Sequence, residues 1–375
     1  MKITILCNSP AWGGLEMLTC KLAVWLAEKG HEITVFCPPD SQAFRNCNEN
    51  HITTIDFKPK SKYADFQAIM QLKNWIKTQD ILLIPQSKDV NLGVFANLWA
   101  KKFGGGVCKL IYLQNMQIGI DKKDFIHTYF YRNLDAWITP LPFLAKNTLK
   151  HTKIQPEKIH IIPFGIETKQ FVATTYTQIH ARTILQLPEN VQIAGIIGRI
   201  DPGKGQEFLI KAIAILKQQG IIMHAAIIGE ETYGDKRQYL QYLKNLTTEL
   251  QITELVHFCP FQKDAPLAYT SLDIFVMAST HETYGLVTLE AMAAKLPIVA
   301  AFAGGTTELI KDKETGLFFE SQNAEDLAKK LTELAKNSEF MQKLALQAQQ
   351  EAINIYDYSS QIAAMEKLFD ELTSN

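Results

Sequence analysis

The eight residues GRIDPGKG, at positions 198–205, combine three glycines with two cations between an apolar stretch and a helix-like stretch. Glycine lets the backbone approach a phosphate closely because no Cβ intervenes, and the N-terminus of a following helix presents free N–H groups. Arg199 and Lys204 add two positive charges, which suit a diphosphate. A tight turn with two surface cations would have the same composition. The loop by itself therefore leaves both phosphate binding and a purely structural turn open.

The same loop nearly matches the phosphate-binding loop of nucleotide hydrolases. Gly198, Gly203 and Lys204 fit the pattern G-x-x-x-x-G-K, but Gly205 stands where that pattern needs Ser or Thr. The hydroxyl group that would hold Mg²⁺ is therefore missing. Pro202 also removes one backbone N–H donor from the loop. These differences argue against a nucleotide hydrolase.

A second segment, HETYGLVTLEAMAAK, carries two glutamates. Glu282 is predicted in a loop and Glu290 inside a helix that begins near Gly285. Eight residues span ~12 Å along a helix axis, whereas the paired carboxylates of a glycosidase lie ~5 to ~9.5 Å apart. The spacing suits two carboxylates that bind different hydroxyl groups of one extended ligand. The ligand's negative charge would then lie at the helix N-terminus, around Tyr284, Gly285 and Leu286. The same pattern would also arise without a ligand, from one glutamate that stabilises the start of a helix and a second glutamate with no related role.

The first half of the chain alternates strand-like and helix-like stretches. A strand at residues 2–7 is followed by a turn with Gly13 and Gly14, a helix at 15–29 and a strand at 32–37. Such a start indicates a parallel sheet with right-handed crossovers. Further strands of this sheet are predicted at 81–84, 110–113 and 136–139.

The pattern restarts in the second half, after a polar stretch at 168–190 that is predicted to be a linker. A strand at 192–197 precedes the glycine-rich loop, and a helix at 206–218 with one apolar face follows it. Further strands are predicted at 223–228, 256–258, 274–277 and 298–301. The predicted fold class is α/β, with two doubly wound units facing each other across a cleft and binding ligands at the carboxyl ends of their strands.

Length and composition are those of a globular protein of two domains, with 375 residues, of which 47% are hydrophobic and 21% are charged. The net charge of −1 is unevenly divided. Residues 1–190 carry 22 Lys+Arg against 15 Asp+Glu, which is +7, and residues 191–375 carry 16 against 24, which is −8. Ordinary surface variation would explain this difference, and so would contact of the N-terminal half with a phosphate or a lipid headgroup.

The six cysteines form no C-x-x-C pair, and Cys7 and Cys37 lie in apolar strand-like stretches. Core thiols of this kind favour a reducing compartment. The N-terminal apolar run is shorter than a secretory signal needs, and no apolar stretch is long enough to span a bilayer. The expectation is a cytoplasmic protein, with peripheral contact at the inner face of a membrane left open.

Taken together, these residues resemble the retaining glycosyltransferases of the family-4 type, which have the GT-B fold of two Rossmann-like domains. The resemblance covers essentially the whole chain. That family carries a Gly-Arg-(x)4-Lys-Gly loop and a Glu-(x)7-Glu segment in its C-terminal domain, which match residues 198–205 and 282–290. It also has a glycine pair after the first strand, matching Gly13-Gly14, and a Pro-x-Gly-hydrophobic-acid turn, matching residues 163–167.

The resemblance implies that successive parts of the chain form domains with different functions. Residues 1–170 would form an acceptor-binding domain, residues 171–355 a nucleotide-sugar-binding domain, and residues 356–375 a helix that crosses back to the N-terminal domain. The donor would be a UDP- or GDP-sugar. The acceptor would be a glycan or a lipid-linked molecule, as in the synthesis of cell-envelope polysaccharide, and no nucleic acid would be bound.

The resemblance also implies roles for single residues. Arg199 and Lys204 would bind the donor diphosphate and stabilise the departing nucleoside diphosphate. Glu290 would bind the ribose hydroxyls, and Glu282 would contact the transferred sugar. Gly14 would let the backbone of the other domain approach the diphosphate. Further positions near the base or at the edge of the site would be Phe261, Gln262, Gly304, Gly305 and Glu308.

The chemistry of sugar transfer agrees with these residues. Negative charge builds on the β-phosphate as the bond to the sugar breaks, so preorganised cations and N–H groups must stabilise the leaving group. The motif Asp-x-Asp, which holds Mg²⁺ in sugar-transfer enzymes of another fold, does not occur in this sequence. Because Arg199 and Lys204 can neutralise the leaving group, a metal-independent enzyme without a cofactor is predicted.

Two other interpretations stay open. A GT-B epimerase or a phosphorylase-like enzyme would hold its donor with the same residues. A non-catalytic module would bind a sugar nucleotide or a glycan without transferring it. The residues predicted to bind phosphate and ribose lie together in the C-terminal half, and the N-terminal half is basic. This combination favours catalysis. A dehydrogenase is disfavoured because neither strand-to-helix turn reads G-x-G-x-x-G.

On the acceptor side the sequence departs from the family. Many members carry a His just after a central strand of the N-terminal domain, whereas Gln114 and Asn115 follow that strand here. Neither amide titrates, so neither can act as a general base. They are predicted to position sugar hydroxyls while the donor phosphate takes the acceptor proton, and His127 is predicted at a helix surface or in the core. Lys122 and Lys123 suggest an anionic or membrane-linked acceptor.

Overall fold

The structure is a computed structural model that describes residues 1–61, 65–103, 108–231 and 238–374. By the density of their contacts these residues form two compact units. The first unit comprises Met1–Phe164 and Tyr358–Asn375, and the second comprises Gly165–Asp357. Each unit is built around one parallel β-sheet.

The strands and helices alternate along both units. The strands of the first unit are β1 (Lys2–Leu6), β2 (Glu32–Cys37), β3 (Thr53–Asp56), β4 (Ile81–Ile84), β5 (Lys109–Leu113), β6 (Ala136–Thr139) and β7 (Ile159–Ile161). Those of the second unit are β8 (Ile193–Ile197), β9 (His224–Ile228), β10 (Val256–Cys259), β11 (Ile274–Met277), β12 (Ile298–Ala301) and β13 (Leu317–Phe319).

The helices of residues 1–164 are α1 (Gly14–Glu28), α2 (Gln42–Glu49), α3 (Phe66–Ile76), α4 (Val90–Lys102), α5 (Phe125–Arg132) and α6 (Pro142–His151). The helices that follow are α7 (Thr168–Val172), α8 (Gln178–Leu185), α9 (Gln206–Gln218), α10 (Tyr239–Glu249), α11 (Ala265–Thr270), α12 (Leu286–Ala293), α13 (Thr306–Leu309), α14 (Ala324–Lys336), α15 (Ser338–Ile355) and α16 (Tyr358–Thr373).

The first unit contains a seven-stranded sheet in the order β3-β2-β1-β4-β5-β6-β7. Its inner strands are continuous apolar runs because helices cover both faces of the sheet. In β1, Ile3 and Ile5 belong to the core shared with α1, α2 and α16, whereas Leu6 belongs to the core shared with α3, α4 and α5. The alternation along one strand therefore fills two separate cores.

The second unit contains a six-stranded sheet in the order β10-β9-β8-β11-β12-β13. Helix α9 covers it with a buried face that includes Leu209, Ile213 and Leu216. Helix α14 packs beside α9 and adds Leu327 and Leu331 to the same core. This packing fixes the helix that follows the glycine-rich loop.

Each sheet has a topological switch point beside its first strand. Strand β1 lies between β2 and β4, and β8 lies between β9 and β11. Because the chain leaves one side of such a strand and returns on the other, the loops at its carboxyl end diverge and leave a crevice. In the second unit, the loops 198–205 and 278–285 follow the paired strands β8 and β11. The two charged segments of the sequence therefore lie at one edge of one sheet.

The predicted fold class is confirmed, since both sheets are parallel and doubly wound. The predicted linker at 168–190 is wrong, because α7 and α8 form there. Arg182 of α8 is almost fully buried and donates hydrogen bonds to the carbonyl of Ser271 (2.9 Å) and to Asp273 Oδ2 (2.6 Å). Asp273 directly precedes β11, so Arg182 fixes the start of a strand that leads into the site.

All six cysteines are buried with free thiols. Cys7 and Cys37 lie in the core shared with α1, α2 and α16, as their apolar surroundings in the sequence predicted. Over the described ranges, none of the helices combines the length and the hydropathy that crossing a bilayer requires.

Candidate functional site

The glycine-rich loop leaves the carboxyl end of β8 and enters α9 through a 3-10 turn at Pro202–Lys204. The carboxylate of Asp201 caps this turn by accepting a hydrogen bond from the N–H of Gly203 (3.0 Å). Gly205 then adopts a left-handed conformation (φ 74°), and a Cβ there would lie 2.2 Å from the carbonyl oxygen of Ala278. Only glycine therefore lets the loop pack against the residues that follow β11.

The loop after β11 is tied to the glycine-rich loop through one carbonyl group. The oxygen of Gly203 accepts hydrogen bonds from the hydroxyl of Ser279 (3.1 Å) and from the N–H of Thr280 (3.1 Å). These bonds hold the two loops side by side and bring Lys204 to Glu282.

Lys204 and Glu282 form an ion pair although 78 residues separate them, with 2.7 Å between Nζ and Oε2. Only 28% and 17% of the two side chains are exposed. The N–H of Gly305, which follows β12, donates to the backbone oxygen of Glu282 (2.9 Å). Loops after three neighbouring strands thus converge on this glutamate. The sequence singled out both charged residues but did not predict their contact.

Glu290 lies within α12 and is held by Tyr269 of α11. The Tyr269 hydroxyl lies 2.7 Å from Oε2 of Glu290, to which it donates, and 3.1 Å from the carbonyl oxygen of Val287. Burial and the adjacent carboxylate raise the pKa of Tyr269 well above its usual value. The phenol therefore keeps its proton at neutral pH and orients the carboxylate.

Arg199 is exposed on the glycine-rich loop, and the backbone beneath it is fixed from the core. Gln206 is fully buried, and its Nε2 donates to the carbonyl oxygen of Arg199 (2.8 Å). On the other side, a Cβ at Gly229 (φ 156°) would lie 1.9 Å from the carbonyl oxygen of Gly198. This close approach brings the ends of β8 and β9 together below the exposed guanidinium.

Helix α12 begins directly after Gly285, which has a φ of 95°. Tyr284 is buried and Leu286 is half-buried. Along the chain the helix N-terminus falls between Glu282 and Glu290, as the sequence predicted. Its first N–H groups carry the partial positive charge that favours an anion.

Other predicted positions lie at the same edge of this sheet. Phe261 and Gln262 follow β10, and Phe261 is exposed, whereas Nε2 of Gln262 donates to the carbonyl of Pro260 (3.0 Å). Gly304 follows β12, and Glu308 lies in the short helix α13. Their contribution to nucleotide binding stays a prediction.

In the first unit, Gly13 and Gly14 form the start of α1, after the loop that leaves β1. The N–H of Gly13 donates to Oε2 of Glu16 (3.1 Å), and Oε1 of Glu16 accepts from Nε2 of Gln86 (3.3 Å). A Cβ on Gly14 would meet no atom of the described residues within 4 Å. The backbone at Gly14 therefore faces open space, which the close approach of a phosphate requires.

The structure corrects the prediction for Gln114. Its side chain is fully buried, and Oε1 accepts hydrogen bonds from Nε1 of Trp137 (3.0 Å) and the hydroxyl of Thr148 (2.9 Å). Its Nε2 donates to the carbonyl oxygen of Met116 (3.1 Å). The amide belongs to the core of the first unit and does not present these groups to a sugar.

We expect Gln114→Ala to lower the free energy of unfolding by about 2–5 kcal/mol, because two buried donors lose their acceptor and a cavity remains. Urea unfolding followed by tryptophan fluorescence measures this loss. Turnover per folded molecule should stay near that of the unchanged chain. A variant of normal stability with reduced turnover would instead restore the predicted contact with substrate.

Asn115 is half-buried at the end of β5, and its Nδ2 donates to the carbonyl oxygens of Pro85 (3.0 Å) and Leu113 (3.1 Å). Its role in positioning sugar hydroxyls stays a prediction. His127 lies on α5 with its Nδ1 2.6 Å from Oδ2 of Asp124, the residue that caps this helix. That contact agrees with the predicted helix-surface role.

Sequence patterns did not identify the residues that hold the charged groups in place. These residues, Tyr269, Ser279 and Gln206, hold the site through contacts with other helices, strands or loops. Neither their residue types nor their spacing in the sequence indicates such contacts. Gly229 directly follows a predicted strand, which is the one feature that could have marked it. In the parts of the chain that the structure describes, no three His, Cys, Asp or Glu side chains form a group suited to a metal ion.

Two family models match the chain. Residues 12–170 match the model described as Glycosyltransferase Family 4, and residues 178–351 match the model described as Glycosyl transferases group 1. The glycine-rich loop and both glutamates lie inside the second match. The glycine pair at 13–14 lies inside the first.

The chain is also similar to curated proteins and, in its fold, to a solved structure. A D-inositol 3-phosphate glycosyltransferase of Stackebrandtia nassauensis is 29% identical over 217 residues, covering 56% of this chain and 48% of that protein, so the chain spans about half the length of that relative. An uncharacterised glycosyltransferase of Methanocaldococcus jannaschii is 26% identical over 340 residues, covering 84% and 83%. Anabaena HepE in complex with UDP has a TM-score of 0.87 at 20% identity, covering 99% of this chain and 100% of that chain, which shows a shared fold.

Proposed function

The chain belongs to the GT-B glycosyltransferases, with a family 4 N-terminal part and a group 1 C-terminal part, and we propose that it transfers a sugar from a nucleotide-diphosphate sugar with retention of anomeric configuration. The donor is a UDP- or GDP-sugar, and the acceptor is a glycan or a lipid-linked molecule. The UDP in the structure of Anabaena HepE supports this donor class.

One observation carries the proposal, namely the contact of Lys204 with Glu282 at the switch point of the second sheet. A cation for the diphosphate and a carboxylate for the sugar hydroxyls stand side by side there. Glu290, oriented by Tyr269, adds a second carboxylate for the ribose. The three side chains would thus serve the diphosphate, the sugar and the ribose of one nucleotide sugar.

In this mechanism the bond between the anomeric carbon and the phosphate oxygen breaks while positive charge develops on the sugar. Arg199, Lys204 and the N-terminal N–H groups of α12 stabilise the negative charge that moves to the β-phosphate. The acceptor hydroxyl attacks from the face that the phosphate leaves, and the phosphate oxygen takes its proton. The new bond therefore forms on the same face as the old one.

The leaving group is neutralised by side chains, so the reaction needs neither a metal ion nor a cofactor. In this structure the charge of Lys204 is compensated by Glu282. An incoming diphosphate displaces that carboxylate and frees it to accept hydrogen bonds from the sugar hydroxyls. Donor binding therefore also releases Glu282 to contact the sugar.

The acceptor site belongs to the first unit in this proposal. A cavity of about 260 Å³ lies beside the end of β5, and its lining includes the rings of Tyr112, Tyr131 and Trp137. The ring centroids of Tyr112 and Trp137 lie 4.5 Å apart, and those of Tyr131 and Trp137 lie 5.1 Å apart. All three side chains are almost fully buried, so they form the inner wall of this cavity. Asn115 directly precedes Met116, which also lines this cavity, and would orient acceptor hydroxyls there.

The test is a panel of UDP- and GDP-sugars with a glycan or lipid-linked acceptor mixture, in which free nucleoside diphosphate and the glycosylated product are measured. Transfer with retained configuration and in the presence of a chelator supports the proposal. Nucleotide binding without product indicates a binding module, and a changed donor sugar without transfer indicates an epimerase. Loss of activity with the chelator contradicts the metal-independent mechanism.

The two glutamates should respond differently to replacement by alanine. We expect Glu290→Ala to weaken the affinity for free UDP or GDP at least about tenfold, which is the effect of losing a charge-assisted hydrogen bond. Glu282→Ala should leave that affinity unchanged or raise it, because Lys204 no longer has to exchange one anion for another. Its effect should appear in turnover with the sugar donor. Isothermal titration measures the nucleotide affinity of each variant, and steady-state kinetics measures its turnover with the sugar donor.

Tyr269→Phe is the matched positioning variant, since it keeps the ring and removes only the hydroxyl that orients Glu290. We expect it to weaken nucleotide affinity less than Glu290→Ala does, with turnover at saturating donor nearly unchanged. Equal losses of nucleotide affinity in Glu282→Ala and Glu290→Ala would show that the division between sugar and ribose is wrong.

A further inference from the structure

Two buried thiols of the first unit lie in direct contact, although the proposed mechanism uses neither. Sγ of Cys47 on α2 lies 3.6 Å from Sγ of Cys20 on α1, and 27 positions separate the two residues along the chain. Both thiols are free, and at most 1% of either residue is exposed. Because the sulfur atoms of a disulfide lie about 2 Å apart, an approach of about 1.5 Å would join the two helices. Cys20 and Cys47 together form the thiol pair.

Two further cysteines share the core of the thiol pair, but the sheet holds them in place. Cys7 directly follows β1 and Cys37 ends β2, and both residues are fully buried. The N–H of Cys7 donates to the carbonyl oxygen of Phe36 (2.9 Å), and Cys37 pairs with the neighbouring strand β3. Reagents therefore reach these two thiols only when the sheet itself opens.

Helix α2 covers the thiol pair and adds little else to the core. Of its eight residues, Ala43 and Cys47 are the two that are buried. Sγ of Cys20 lies 3.9 Å from the carbonyl oxygen of Ala43, so the backbone of α2 closes over this sulfur. A short helix with few buried side chains opens at a lower free-energy cost than the strands of a sheet. Opening α2 exposes both sulfur atoms of the thiol pair together.

The two members of the thiol pair differ in acidity. The hydrogen bond between them lowers the pKa of Cys47 and raises the pKa of Cys20, because one sulfur donates and the other accepts. Burial and the other thiols of this core raise the pKa of Cys20 further. Since the thiolate is the nucleophilic form of cysteine, Cys47 is the member that reacts first with an oxidant.

We propose that a peroxide oxidises the thiol pair to a disulfide, which locks α2 onto α1. The Cys47 sulfur attacks one peroxide oxygen and becomes a sulfenic acid, and the other oxygen leaves as water. The Cys20 thiol then attacks that sulfur, so the S–S bond forms, the S–O bond breaks and a second water leaves with the thiol proton. The two thiols lose two electrons, which the peroxide gains. The proposal does not depend on the proposed sugar transfer.

The first measurement is alkylation of the unchanged full chain with N-ethylmaleimide under native conditions. Peptide mass spectrometry at successive times gives the rate at which each cysteine reacts. We expect Cys20 and Cys47 to react at least about tenfold faster than Cys7 and Cys37, because opening α2 costs less than opening the sheet. Equal rates for the four thiols would show that α2 does not open by itself, and would overturn the proposal.

The second measurement is oxidation of the same chain with hydrogen peroxide, followed by alkylation of the remaining thiols and peptide mapping. We expect one cross-link within the chain, between Cys20 and Cys47, which dithiothreitol reverses. Amide hydrogen exchange in α2 should be at least about tenfold slower in the oxidised chain, because the disulfide restricts the open state. A sulfinic acid at Cys47 without a cross-link, or unchanged exchange in α2, would contradict the proposal.

Matched control variants come from the same core. Cys20→Ala and Cys47→Ala should each abolish the cross-link, whereas Cys7→Ala and Cys37→Ala should keep it. A cross-link that persists in Cys20→Ala or Cys47→Ala, or one that joins two chains, would assign the oxidation to other thiols and overturn the proposal. The alkylation rates and the cross-link are measured on the unchanged chain, so they decide the outcome even where an alanine variant is unstable.

Discussion

Replacing Lys204 by alanine should lower turnover by about 10²-fold, which corresponds to about 2.7 kcal/mol in the barrier. The ammonium group lies on a loop that the hydrogen bonds to Gly203 and the close contact of Gly205 with Ala278 hold in one place. Once the bound diphosphate has displaced Glu282, the loop therefore needs no further rearrangement to meet the charge that develops on the β-phosphate. A cation fixed in this way stabilises the transition state more than the ground state. Steady-state kinetics with the best donor of the sugar panel measures the loss.

The matched control is Lys211→Ala, on the helix that follows the loop. Lys211 is half-buried and pairs with Glu207 one turn earlier (3.7 Å), away from the glycine-rich loop, so its removal should change turnover less than about twofold. Lys204→Arg keeps the charge but alters its geometry, and should recover part of the activity. Turnover of Lys204→Ala within about threefold of the unchanged chain would show that this lysine does not stabilise the leaving group.

The local pattern of the sequence predicted the framework of this site well. The helix at 206–218 and the strand at 274–277 have the predicted bounds, because continuous apolar runs and one apolar helical face are unambiguous there. The order of strands and loops then placed the glycine-rich loop and Glu282 at one sheet edge, since the ends of parallel strands coincide.

The errors arose where contacts between distant residues decide the outcome. The short edge strand β3 pairs with one neighbour and has little apolar pattern of its own. The stretch at 168–190 is polar by composition, yet Arg182 is buried by partners about ninety residues further along the chain. Gln114 looked like a ligand-facing amide because it follows a strand. Its three hydrogen-bond partners in the core cannot be deduced from that position.

Helix α16 returns to the first unit after the second unit is complete, and its buried face fills the core on one side of the first sheet. Ile362, Met365 and Phe369 are fully buried, and Leu368 is nearly so. The ring of Trp25 on α1 lies 4.9 Å from that of Tyr358 between centroids. The resemblance to the GT-B glycosyltransferases implied a helix at residues 356–375 that crosses back to the N-terminal domain.

Deleting residues 358–375 should unfold the first unit. Burial of the four side chains contributes about 1.5–3 kcal/mol each, or about 6–12 kcal/mol together, which equals the whole stability of a typical domain. Urea unfolding and near-ultraviolet circular dichroism should show loss of one cooperative unit. Phe369→Ala should remove about 3–5 kcal/mol, whereas Lys367→Ala, on the exposed face of the same helix, should change stability by less than about 0.5 kcal/mol. A truncated chain that keeps its melting temperature would mean that α16 contributes nothing to the core it fills, and Phe369→Ala would then be silent as well.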